Sequence, residues 1–161
     1  MKIKTAIVCV GRLREAFYRD AAAEYVKRLQ RFGGLSVAEC ADLPEPKNAS
    51  AADIGRIVRL EGVSILERIA PRDHVIALAA GGKPMDSPSF AGLLASIAQG
   101  GAPRAVFVIG GSNGLSADVM RRADGTLSFS PMTFPHQLAR IMLLEQLYRA
   151  NKILAGETYH K

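Results

Sequence analysis

Five short apolar runs alternate with longer stretches of helical periodicity, and no other feature of this sequence narrows its possible folds as much. Continuous apolar runs bounded by turn residues predict strands buried on both faces; apolar residues at i,i+4 spacing predict the helices that cover them. Repeated β-α order predicts one α/β domain over residues 1–161, a mainly parallel sheet with helices on both faces. At 161 residues the chain is long enough to bury such a core without disulfides.

The predicted strands are Ile3 to Val10, Leu35 to Cys40, His74 to Ala80, Arg104 to Ile109 and Thr126 to Ser130. Helices are predicted over 12–31, over 51–69, from Ser87 to Gly100, from Leu115 to Ala123 and over 136–154. In the first helix Leu13, Phe17, Ala21, Tyr25 and Leu29 share an apolar face, and Arg12, Arg19 and Lys27 fall in one stripe roughly opposite. Such a stripe is either a solvated face or a surface for phosphates. Ser87-Pro88 reads as an N-cap followed by proline at the first helical position, and Ser116 as the cap of the fourth helix. Asp42 to Asn48, with Pro44 and Pro46, reads as a flexible loop.

Cys9 and Cys40 sit in apolar runs without a CxxC partner or a histidine at ligand spacing, which predicts two buried thiols and no metal. The apolar stretch from Thr5 to Val10 is too short for a signal-peptide core, and no stretch has the length of a membrane span. A cytoplasmic protein without a membrane partner is the expectation.

Charge adds a hint about partners. Twenty-one basic against fifteen acidic side chains leave a net +6, and residues 1–31 alone hold eight basic and three acidic ones. The surplus gathers at the start of the chain and, more weakly, at its end. An anionic partner, nucleic acid first, fits that distribution.

Ligands of parallel α/β sheets bind beyond the carboxyl ends of the strands. Three predicted strand ends carry unusual loops: Leu78 to Lys83, Gly110 to Gly114, and Phe129 to Phe134. Glycines there let a ligand approach the main chain. Gly110-Gly111-Ser112-Asn113-Gly114 lacks the Lys-Ser/Thr ending of a P-loop and the GxGxxG spacing of a dinucleotide fold. The three loops together predict a small-molecule pocket, suited to a neutral adenosine moiety held by main-chain groups.

Several of these segments resemble one known family. Phe107-Val108-Ile109-Gly110-Gly111-Ser112-Asn113-Gly114-Leu115, the run from Leu127 to His136, Glu145-Gln146-Leu147-Tyr148-Arg149-Ala150 and the terminal Tyr159-His160-Lys161 resemble the RlmH family of SPOUT-class RNA methyltransferases. The segment from Ala6 to Leu13 and the Gly82-Lys83 pair agree, so the likeness spans the chain; Ala79-Ala80-Gly81 departs from the acidic or bulkier residues of many relatives. The resemblance implies a SPOUT fold with a carboxyl-terminal trefoil knot. It implies a homodimer that methylates N3 of a pseudouridine in helix 69 of 23S rRNA, within the assembled ribosome, using S-adenosylmethionine. Carried over by position, the cofactor contacts are Leu78, Gly110, Phe129, Ser130, Pro131, Met132, Thr133 and Phe134.

The acceptor nitrogen holds a proton at neutral pH, so a base is needed. His160 is the first candidate and His136 the second, because imidazole titrates near neutrality. His136 is otherwise a cap for the last helix. Tyr159 is a candidate to stack on the target base; Lys161, Arg140 and Arg149 are candidates to hold phosphate or steady the anion. Arg149 is otherwise a partner for Glu145, four residues before it. Arg12, Arg19, Lys27 and Lys161 are the candidate RNA contacts. The alternatives are a SPOUT enzyme for another RNA such as tRNA, and a non-catalytic ribosome-binding module.

Overall fold

The chain order is β1 (Lys4–Val10), α1 (Ala16–Leu29), β2 (Leu35–Cys40), α2 (Ala51–Leu66), β3 (His74–Leu78), α3 (Ser87–Gln99), β4 (Arg104–Ile109), α4 (Ala117–Arg122), β5 (Gly125–Leu127) and α5 (His136–Leu154). These come from a computed structural model that describes residues 2–161. The strands form one sheet in the order β2-β1-β4-β3-β5, and every pairing is parallel.

That order explains the layers. Each successive strand is laid down in the opposite direction across the sheet from the one before. Right-handed crossovers then put alternate helices on opposite faces. Accordingly Ile7, Cys9, Ile76 and Phe107 pack with Leu29, Leu94, Leu143 and Leu147, contributed by α1, α3 and α5. Ala6, Val8, Val75, Val106 and Val108 pack with Ile65 and Val119, contributed by α2 and α4. The two-faced burial is why these strands are continuous apolar runs rather than alternating ones.

The first helix is shorter than its sequence pattern predicts. Residues 11–15 form a loop instead, because Gly11 turns the chain at φ +87° and donates its amide to Cys40 O. Leu13 is buried within that loop, and α1 starts only at Ala16. Phe17 is therefore not on the apolar face; it is 65% exposed. Arg12 lies outside the helix, so it forms no single stripe with Arg19 and Lys27.

Smaller shifts have local causes. The cap of α3 is Asp86, whose carboxylate accepts from Ser89 N, so Ser87 is already helical and its hydroxyl donates to Gln146. Ser50 and Asp53 form a reciprocal capping box on α2, and Ser116 caps α4 as predicted. The last helix has the predicted bounds; its N-cap is Pro135, so His136 is its first residue and not its cap. β3 and β5 end early because the loops beyond them bond to one another.

At the amino ends of the strands, charged side chains tie the connections together. Arg104 donates to both carboxylate oxygens of the buried Asp73, at 2.6 and 3.2 Å, and to Arg68 O. Arg122 donates to Ala70 O and Asp73 O. Asp124 accepts from Val75 N at 2.8 Å. Burial alone would raise the Asp73 pKa, but Arg104 and the Ala70 amide outweigh it and hold the carboxyl below its ordinary range. Among the described residues no helix is long and apolar enough to cross a membrane.

Candidate functional site

The carboxyl ends of β4, β3 and β5, three neighbours in the sheet, open into a cavity of about 620 Å³. Its walls are Leu78 to Ala80, Ile109 to Leu115 apart from Asn113, and the segment from Phe129 to His136 apart from Pro131. Seven of the eight expected cofactor residues line it: Leu78, Gly110, Phe129, Ser130, Met132, Thr133 and Phe134. None of the lining residues is Asp, Glu, Lys or Arg.

Main-chain geometry builds these walls. After β4 the chain doubles back, with Gly111 O accepting from Gly114 N at 3.1 Å and Gly114 at φ +82°. A Cβ on Gly110 would stand 2.8 Å from the Gly114 carbonyl group, so only glycine allows the turn. The exit of β5 is stitched to the loop after β3: Ser128 N donates to Lys83 O, and Ser128 Oγ to Ala80 O and Ser130 O. Met132 N donates to Ser130 Oγ, which curls the following segment over the cavity mouth. Met132 itself is 74% exposed.

Behind the Gly110 loop is a residue that the sequence reading missed. Glu61, on α2, is buried; a Cβ on Gly111 would stand 3.3 Å from its carboxylate. It accepts from Leu43 N, and burial raises its pKa, with Asp42 adding to the effect. An acid inside an otherwise apolar helical pattern is the only signal that could have marked it.

The carboxyl-terminal candidates lie elsewhere. His160, Glu145 and Gln146 line a second cavity, of about 810 Å³, together with Tyr25 and Asp86. The tail folds back along α5. Tyr159 packs edge-on against Tyr148, donates to Glu145 at 3.2 Å and lies under the Arg149 guanidinium. Burial, and then the Glu145 charge, raises the Tyr159 pKa. Arg149 pairs with Glu145 and reaches His160 Nδ1 at 3.3 Å, so the Glu145 partnership is found. The two cavities share only Leu127 and Phe129 among their lining residues. Within one chain the fold does not bring Tyr159 or His160 into the glycine-loop cavity, but His136 is in its wall.

Arg140 requires a correction. It is buried, donates to Glu39 at 2.8 Å and to Gly11 O at 3.0 Å, and so fastens the Gly11 turn to α5 rather than facing a substrate. Arg12, Lys27 and Lys161 are exposed. Arg19 is exposed too, but donates to Leu13 O and Arg14 O and thereby braces the loop before α1. Both cysteines are buried and unbridged, and burial pushes the Cys9 thiol up to about 11, which makes it no nucleophile. Among the described residues no group of three His, Cys, Asp or Glu side chains gathers to hold a metal ion.

A parallel sheet whose glycine-rich strand ends enclose a cavity without Asp, Glu, Lys or Arg in its lining defines a class of α/β proteins that bind small molecules at this edge. Solved structures narrow the class by fold: a probable methyltransferase from Bordetella pertussis Tohama I aligns with a TM-score of 0.54 at 18% identity, covering 93% of this chain and 95% of that one. A probable methylase family protein from Haemophilus influenzae Rd KW20 aligns at 0.52 and 12%, covering 99% of this chain and 70% of the other. A sequence model of the family described as "Predicted SPOUT methyltransferase" matches residues 1–160. Proteins named ribosomal RNA large subunit methyltransferase H are similar over nearly their whole length. That from Exiguobacterium sp. AT1b is 47% identical over 97% of this chain and 98% of its own. That from Carboxydothermus hydrogenoformans is 45% identical over 99% and 100%. The chain belongs to the SPOUT methyltransferases, and within them to the family of ribosomal RNA large subunit methyltransferase H.

Proposed function

We propose that this protein transfers a methyl group from S-adenosylmethionine to N3 of a pseudouridine in helix 69 of 23S rRNA, as a cytoplasmic homodimer acting on the assembled ribosome. The relatives' name supports large-subunit rRNA over tRNA as the substrate. The observation that carries the methyl-donor assignment is the glycine-loop cavity, walled by glycines, apolar residues and the small polar Ser112, Ser130 and Thr133, with His136 at its side and no Asp, Glu, Lys or Arg. That lining suits an adenosine moiety, and the tight approach at Gly110 and Gly111 leaves room only for backbone there. A trefoil knot at the carboxyl end is the family's expectation and part of this reading.

Leu78, Gly110 and the segment Phe129-Ser130-Pro131-Met132-Thr133-Phe134 would hold the donor. When bound, it supplies an electrophilic methyl group on a sulfonium. Holding donor and acceptor in line contributes much of the rate. The acceptor imide must lose its proton, and each pKa unit above ambient pH costs about 1.4 kcal/mol. His160 and His136 are the candidate acceptors of that proton, with Lys161 a cation to steady the anion. His136 is in the cavity wall already; His160 of one chain stands outside it, which favours a second copy to bring a tail to each cavity.

Two measurements test this reading. Calorimetric titration with S-adenosylmethionine is expected to give saturable binding; its absence would leave a non-catalytic module. Mass mapping of 23S rRNA from a deletion strain is expected to show one methyl group missing from helix 69. An unchanged helix 69 with a methyl lost from tRNA would reassign the substrate.

A further inference from the structure

We infer that Phe17 is a stacking platform for an unpaired base of the RNA substrate, with Arg12 and Arg14 placed to meet the flanking phosphates. The inference rests on the RNA-methylating function proposed above. Among the described large apolar residues only Phe17 and Met132 are more than half exposed, at 65% and 74%. Met132 belongs to the donor cavity; Phe17 belongs to nothing described so far. Its ring leans on Tyr18, with centroids 4.5 Å apart and planes at 50°, which fixes the ring and leaves most of it open to solvent.

The ground beneath it is unusually rigid for a loop. Gly11 N donates to Cys40 O, Arg140 donates to Gly11 O, and Gln137 Nε2 donates to Arg12 O. Leu13 is buried, and Arg19 reaches back to Leu13 O and Arg14 O. Gln137 directly follows His136, a wall of the donor cavity, so the platform is fastened beside the place where the acceptor base must arrive.

The chemistry of the surroundings selects the occupant. Arg12, Arg14 and Arg19 are all exposed, and they lie in the part of the chain that holds most of its positive surplus. An exposed aromatic ring close in the chain to the exposed Arg12 and Arg14 matches single-stranded nucleic acid, in which bases stack and phosphates pair. A duplex offers no free base to stack, and a purely apolar partner would give the exposed Arg12 and Arg14 no counter-charge. A rigid aromatic also loses little conformational freedom on binding.

The test uses the full chain with Phe17→Ala and Phe17→Trp. The sequence has no tryptophan, so F17W places the sole indole at the platform. Acceptors are assembled ribosomes from the deletion strain and a single-stranded RNA of about twelve nucleotides. F17A is expected to raise KM for ribosomes about tenfold, with kcat within about twofold and the S-adenosylmethionine Kd unchanged. F17W is expected to keep the wild-type KM, with its fluorescence quenched by the short RNA. An unchanged KM in F17A, or an unquenched F17W, overturns the inference. So does a fall of F17A to monomer mass in sedimentation, which would show that a second copy covers the ring. Should F17A fail to fold, the F17W quench decides. Should wild-type protein fail to methylate ribosomes while F17W is still quenched by short RNA, the proposed substrate falls and the platform stands.

Discussion

The two ends of the sheet are built on opposite plans. At the amino ends of the strands, Arg104, Asp73, Arg122 and Asp124 cross-link the incoming connections, with the buried Asp73 carboxylate accepting from Arg104 and the Ala70 amide. At the carboxyl ends glycines replace charged groups, the chain bonds to itself through its own amides, and a cavity of about 620 Å³ stays open. One end fixes the strands relative to each other; the other uses that fixity to hold main-chain groups around empty space. Rigid support at a distance lets a site be both open and preorganised.

Substitutions at the two ends should therefore separate stability from activity. The largest effect is expected from Gly110→Ala, which forces the Gly114 carbonyl to move. Methyl transfer should fall roughly a hundredfold or more through loss of donor binding. Measured by calorimetry and single-turnover assay, an undiminished donor affinity would place the ligand elsewhere.

Next comes Arg104→Met. It leaves the buried Asp73 carboxylate without its main partner, while Arg104 itself is partly exposed, so about 2 kcal/mol should be lost. Thermal unfolding should shift down by about 4–8 °C with kcat unchanged. A comparable loss of kcat at the assay temperature would show that the ends are coupled and the contrast false.

The smallest effect is expected from Glu61→Gln. Because burial raises the Glu61 pKa, the ionised carboxylate disfavours the fold. That penalty is absent below the ordinary value of 4.5 and is fully present above the folded value. The amide can still accept from Leu43 N, so the variant should be more stable than the parent at pH 8 and no more stable at pH 4. Equal unfolding midpoints at pH 8 would show that Glu61 is stabilised by groups other than those facing it.

How much of this was legible beforehand follows from what the sequence encodes locally. The five strands, the helices on both faces and the three strand-end loops that wall the cavity were readable, because apolar periodicity and glycine at strand ends are local signals. The start of α1 was not. Phe17 continues the i,i+4 apolar pattern, but Gly11, Cys40 and Arg140 decide the turn through contacts far apart in the chain. Arg140 was misread for the same reason: an arginine on a helix does not announce that its partner is a carboxylate 101 residues away. The position of Tyr159 and His160 depends on how the tail returns along α5, which no spacing in the sequence records.

Helix α5, last in the order of elements, seals the flank of α1, burying Leu143, Leu144 and Leu147 beside Leu29. Vectorial synthesis makes α1 early and its cover last. Until residue 154 has left the exit tunnel, the side of α1 that carries Tyr25, Val26 and Leu29 has nothing over it. A message broken before codon 136 yields a sticky chain that chaperones and proteases would recognise, never a half-working enzyme.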